Sequence, residues 1–148
     1  MEEILVAADG SVHSLKVVDF AIELARKLSY SILLVTVIKA ESQEPEGIVA
    51  FEKAEEYPDA YADYLQSRGD AITGKLSERI KQAGVQSRAI SPTGNPASEI
   101  TEIAEVEKVK LIVVGVKGLH GIAKIRSLGS VARRVVENAP VPVIVVPT

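Results

Sequence analysis

Cysteine and tryptophan are both missing from this chain. Without cysteine there is no disulfide framework, no thiol nucleophile and no thiolate metal site. The fold must therefore rest on its hydrophobic core, and 148 residues are enough for one. A chain of this size buries roughly 68–70% of the surface that its unfolded form exposes. The length predicts one domain over residues 1–148. Aromatic side chains are scarce, at two phenylalanines and four tyrosines, which leaves little to stack on a flavin ring. Histidine is equally sparse. His13 and His120 stand far apart in sequence, and neither has an acid cluster beside it, so no metal centre is assigned.

Long apolar runs are lacking as well, and none approaches the ~18 residues of a membrane helix. The opening Met1-Glu2-Glu3-Ile4 carries acid where a signal peptide carries base. The expectation is a soluble, cytoplasmic protein with no membrane partner. A net charge of −3 speaks against nucleic acid as a partner, since that affinity rests on neutralising phosphates. The charge is unevenly placed, however. Glu41 to Asp63 holds eight acids and one base, whereas Gly115 to Arg134 holds five bases and no acid. The second stretch suits a small anion, though a solvated helix face gives the same pattern.

Apolar residues fall into two alternating kinds of segment. Near-continuous β-rich runs occur at Ile4–Ala8, Ile32–Ile38, Leu111–Val116 and Val141–Val146, with a weaker alternating run at Val85–Ile90. Such runs fit strands covered on both faces. Helical spacing marks His13–Leu28, through Val17, Ala21, Leu24, Ala25 and Leu28, and Asp59–Ala83, through Tyr61, Leu65, Ile72, Leu76 and Ile80. Gly69 and Gly74 weaken the middle of that second helix by about 1 kcal/mol each relative to alanine. A third helix opens with Asn95 as N-cap and Pro96 in the first turn, and buries Ile100, Ile103 and Ala104. A fourth runs from Gly129 to Asn138, with Val131, Val135 and Val136 inward. The alternation predicts an α/β fold: a doubly wound, five-stranded parallel sheet with right-handed crossovers and helices on both faces. Lys39–Pro58 is the one long, acidic connection.

In such sheets ligands bind outside the carboxyl ends of the strands. Three segments fall there: Ala7-Ala8-Asp9-Gly10-Ser11, Val35-Thr36-Val37-Ile38, and Gly115-Val116-Lys117-Gly118, which continues to Gly129-Ser130. Glycines bring backbone N–H groups close to a ligand, and a helix start at Gly129, Ser130 and Val131 adds unpaired donors that suit phosphate oxygens. A loop of this kind also serves simply to turn a chain. Asp9 has two readings as well. It caps its own Asp-Gly-Ser turn, or it accepts from a ribose hydroxyl or an adenine amino group. Ser11 and Ser130 have no evident base in the local sequence, so no nucleophilic triad is assigned. The Lys-Ser or Lys-Thr ending of a P-loop is also missing.

Taken together, several segments resemble the universal stress proteins along essentially the whole chain. They are Val6-Ala7-Ala8-Asp9-Gly10-Ser11, Gly94-Asn95-Pro96-Ala97, and the stretch from Leu111 through Leu128-Gly129-Ser130-Val131-Ala132 to Pro147. Members that bind ATP carry a Gly-x2-Gly-x9-Gly-Ser/Thr signature. Gly115, Gly118 and Gly129-Ser130 match its fixed positions, but ten residues separate Gly118 from Gly129 where the signature has nine. The resemblance implies ATP or another adenine nucleotide as ligand, with Mg²⁺ as a candidate companion ion. It further implies that Ala7, Asp9 and Val37 lie along the adenine and ribose. Gly115, Lys117, Gly118, Gly129, Ser130 and Val131 would line the ribose–phosphate path. It also implies a homodimer formed through strand 141–147, whose Pro142 suits an edge, and a protein partner of unknown identity. The function expected is a regulatory, stress-response module in which hydrolysis is slow and no catalytic residue is assigned. The rivals are a dimeric scaffold of the same family that binds no nucleotide, an enzyme acting on an adenylylated or phosphorylated substrate, and a flavin carrier.

Overall fold

The computed structural model describes residues 1–39, 58–116 and 128–148. Five parallel strands form one sheet: β1 (Glu3–Ala7), β2 (Ser31–Val35), β3 (Ser87–Ile90), β4 (Leu111–Gly115) and β5 (Val143–Val146). Their spatial order is β3-β2-β1-β4-β5. Four helices lie among the described residues: α1 (Val12–Leu28), α2 (Pro58–Gln82), α3 (Pro96–Val106) and α4 (Ser130–Asn138).

The period of two along each strand sorts the core into two layers. Ile4, Val6, Ile32, Leu34 and Val113 face one way and pack with Val17, Val18, Ala21 and Ala25 of α1 and Leu76 and Ile80 of α2. Leu5, Leu33, Val35, Ile112 and Val114 face the other way and pack with Ala97, Ile100 and Ala104 of α3 and Ala132 and Val135 of α4. Continuous apolar runs are therefore what a sheet covered on both faces requires. The α/β class and the doubly wound sheet read from the sequence are what the structure shows.

The differences are local. Leu28 and Val136, both expected inward, are 41% and 46% exposed. α1 ends at Leu28, where Ser29 turns left-handed at φ 57°, and α4 turns Ala132 and Val135 inward instead of Val136. β2 stops at Val35 rather than Ile38, and β5 starts at Val143 rather than Val141. Pro142 precedes β5 and lacks an N–H, but its carbonyl still accepts from Ile112 N–H at 3.0 Å.

Two surface ties join the first helix pair. Arg79 of α2 forms a two-bond ion pair with Asp19 of α1, at 2.6 and 2.8 Å. Arg26 donates to the Ala83 carbonyl at the far end of both helices. At the amino end of the sheet, Arg88 of β3 reaches Glu3 of β1 through two 2.8 Å bonds and Glu107 after α3 through a third of the same length.

Candidate functional site

Strand order reverses between β1 and β4: the chain builds β2 and β3 on one side of β1, then returns to lay β4 and β5 on the other. The carboxyl ends of β1 and β4 are thus the place where such a sheet opens a crevice. Ala7 closes β1 and Gly115 closes β4, so both lie at that opening.

The turn after β1 is held by a small hydrogen-bond network. One Asp9 carboxylate oxygen accepts from Ser11 N–H and from the Ser14 hydroxyl, each at 2.9 Å. Ser14 Oγ in turn accepts from the N–H groups of Asp9 and Gly10, both at 3.1 Å. Gly10 has φ +84°, which L side chains rarely adopt, and a Cβ there would lie 3.1 Å from Ile72. The tight turn sends the chain away from the sheet immediately after β1. Asp9 therefore does cap its own turn, as its sequence context allowed.

That departure leaves the chain beyond Val35 without a neighbour on its β1 side among the described residues. The last bond between the two segments is Ala8 N–H to the Val35 carbonyl, at 3.0 Å. Further along, Thr36 and Ile38 donate to the carbonyls of Ile90 and Pro92, at 3.0 and 2.8 Å, on the β3 side. Backbone groups of successive strand residues point to opposite neighbours, so the N–H and C=O of Val37 face the β1 side. Neither has a hydrogen-bond partner among the described residues. Val37 is half-buried, and a polar backbone pair in that position is poised to take a partner.

The third segment arrives at the same end. Val116 N–H donates to the Val146 carbonyl at 3.0 Å, and Gly129 N–H returns to the Val116 carbonyl at 2.9 Å. The two ends of the glycine-rich connection are thereby pinned beside the end of β4. Gly129 is the N-cap of α4 and supplies no side-chain cap, and the first turn contains no acid. The N–H groups of Ser130 and Val131 have no partner among the described residues, as expected for the first turn of a helix. Ser130 is exposed, whereas Val131 packs on the second core layer. Lys117 and Gly118 lie outside the described residues.

Ala7, Asp9, Val37, Gly115, Gly129, Ser130 and Val131 thus all occupy the carboxyl end of the sheet. A shallow surface hollow of about 450 Å³, floored by Ala104, Val109 and Val141, lies at the opposite end and involves none of them. Among the described residues no group of three or more His, Cys, Asp or Glu is gathered as for a metal ion. Hydrogen bonds from Arg88 and Arg79, respectively, are the main cause holding Glu3 and Asp19 below the usual carboxylate range.

One residue at this end was not singled out from the sequence. Ser14 is only 3% exposed and makes three hydrogen bonds in the Asp9 turn. Its signal was present: Ser14, Val17, Val18 and Ala21 share one buried helical stripe, where a lone hydroxyl needs a partner.

Comparison with known proteins agrees with this architecture. A universal stress protein from a complex with cAMP is 27% identical, with a TM-score of 0.68, covering 99% of this chain and 96% of that one. The universal stress protein UspA of Lactobacillus plantarum superposes with a TM-score of 0.78 at 19% identity, covering 98% and 97%. A universal stress protein of Archaeoglobus fulgidus, solved with dAMP, gives 0.61 at 23% identity, covering 98% and 97%. A search of the curated proteins found no match. The model of the universal stress protein family, by contrast, matches residues 1–147, from before β1 to beyond β5, and the chain belongs to that family.

Proposed function

We propose that this chain binds an adenine nucleotide, ATP foremost, in the crevice between the carboxyl ends of β1 and β4. The observation that carries the reading is the unpaired N–H and C=O of Val37, one donor and one acceptor side by side at the opening. Adenine presents the complementary pair, a ring-nitrogen acceptor beside its amino donor. At its N7 and O6 edge guanine presents two acceptors and would leave the Val37 carbonyl unmatched, so it could match the pair only by turning its N1–H and O6 edge to Val37. Asp9 and Ala7 then line the ribose. Gly115, Gly129, Ser130 and Val131 line the phosphates, where the dipole of α4 and its unpaired donors favour negative charge. Lys117 and Gly118 complete that path in this reading, with Mg²⁺ as counter-ion to the phosphates. The family relatives solved with cAMP and dAMP support an adenine ligand.

In this proposal the function is regulatory and linked to occupancy: nucleotide orders the crevice, and a protein partner reads the change in the cytoplasm. A second copy of the chain would sit on β5. That strand is an edge of the sheet, and Val143, Ile144 and Val145 are only partly covered. The other edge, β3, carries Ser87 and Arg88 instead. An apolar, unguarded edge is an association site. The ten-residue separation of Gly118 from Gly129 keeps a second reading alive, a dimeric scaffold with no physiological nucleotide.

Thermal unfolding of the protein, stripped of any co-purified nucleotide, decides between them. ATP with Mg²⁺ at about 100 times its dissociation constant adds about 2.7 kcal/mol. That raises Tm by roughly 5–10 °C for a chain of this size, while GTP leaves it unmoved. No rise at millimolar ATP would overturn the nucleotide reading in favour of the scaffold.

A further inference from the structure

We infer that Ser14 is a positioning residue for nucleotide recognition, acting through Asp9; this rests on the adenine-nucleotide reading above. Ser14 belongs to the buried stripe of α1, so the core fixes its backbone. Its hydroxyl accepts from Asp9 N–H and Gly10 N–H at 3.1 Å and donates to the Asp9 carboxylate at 2.9 Å. The hydroxyl thus makes three bonds, and the residue is 3% exposed. The carboxylate oxygen that receives it also takes Ser11 N–H at 2.9 Å. These two bonds contribute to the orientation of the carboxylate, the group that meets the ribose and base in this reading.

The same hydroxyl sets the path of the backbone. By accepting two successive N–H groups, it turns Asp9 and Gly10 toward α1 and away from β2. Val37 keeps its N–H and C=O open because of that turn. One buried hydroxyl therefore governs both sides of the crevice, with no contact to the ligand itself. Alanine at position 14 removes the acceptor of two N–H groups and one of the bonds that orient the carboxylate.

The test is a double-mutant cycle on ATP affinity, read by isothermal titration of the whole chain. The four proteins are wild type, Ser14→Ala, Asp9→Ala and the double variant, each checked by circular dichroism for a cooperative melt. Ser14→Ala is expected to weaken ATP binding about tenfold, the scale of a lost bond to a charged group. In the Asp9→Ala background the same change should cost clearly less than in wild type, because the carboxylate is gone and only the bonds to the N–H groups of residues 9 and 10 remain to be lost. Ser14→Thr keeps the hydroxyl and should bind within about threefold of wild type. Should Ser14→Ala fail to fold, Ser14→Cys holds the volume, loses the strong acceptor and carries the same expectations. Wild-type affinity in Ser14→Ala would overturn the inference, and so would losses that multiply in the double variant. A wild-type chain that takes up no ATP overturns the nucleotide reading and this role with it. Binding by wild type with a flat response at position 14 overturns this role alone.

Discussion

Helix α2 carries two interior glycines, Gly69 and Gly74, and alanine at the two is expected to act in opposite directions. On helix propensity alone each change gains about 1 kcal/mol. Gly74 is exposed, and a Cβ built there meets no atom within 4 Å. Gly74→Ala should therefore realise the full gain and raise Tm by roughly 2–4 °C. At Gly69 the new Cβ would lie 2.7 Å from both Cβ and Oγ of Ser91, and 3.4 Å from Cγ1 of Ile38. The hydroxyl can rotate aside, but the Ser91 Cβ cannot move without its backbone. Overpacking of this kind costs about 1–3 kcal/mol. Set against the propensity gain, Gly69→Ala should lose about 1 kcal/mol and lower Tm by roughly 2–4 °C. Urea unfolding followed by circular dichroism measures both, and an unchanged m-value shows that the fold is retained. Adding Ser91→Gly to Gly69→Ala removes the obstructing Cβ and should restore most of the loss. Equal stabilisation at both positions would refute the claim that α2 is held at closest approach to the loop after β3. That loop accepts the Ile38 N–H through Pro92, so displacing it disturbs Val37 as well.

Arg88→Ala removes three bonds at the amino end of the sheet. Arg88 is half-exposed, so the loss should be about 1 kcal/mol in urea unfolding, and Arg88→Lys should recover less than half because a lysine lacks the planar fork. Acid should weaken the fold through Glu3 and Asp19, whose ordinary values are 4.5 and 3.8. Both folded values lie lower, so their contribution is complete above those ordinary values and disappears as pH falls through the folded ones. The urea midpoint should therefore decline from about pH 4.5 downward, and part of that decline should vanish in Arg88→Ala. Asn95→Ala deletes the cap that accepts Ser98 N–H at 3.1 Å, and should cost about 1 kcal/mol by the same assay.

The two glycines of α2 also show how far the sequence reaches. Propensity treats them alike, since both lie mid-helix, and it priced them equally. Only the position of Ser91, brought from 22 residues away, separates them. The layered α/β architecture was legible for the opposite reason: it is repeated in every strand and helix, so a misplaced boundary such as β2 ending at Val35 leaves it intact. Leu28 went astray as the last residue of α1, and Val136 because the buried stripe of α4 runs through Ala132 and Val135 and leaves the next residue round the helix on its exposed flank.

The site follows a different logic, because much of what it offers is backbone. Valine at position 37 says nothing by its side chain. The role proposed for it comes from a ladder that stops one residue too soon, and that stop is written in another segment, Asp9-Gly10-Ser11 with Ser14 behind it. Had the chain continued straight through Asp9, a regular parallel ladder would pair Val37 N–H with the Ala8 carbonyl and close the crevice. The positive φ of Gly10 and the buried hydroxyl of Ser14 make the opening, and the Gly129–Val116 bond brings the α4 N-terminus beside the end of β4. Recognition at such a site is set by where strands part. Substitutions at Gly10 and Ser14, which need not touch a nucleotide at all, should therefore alter binding more than any change in the side chain of Val37.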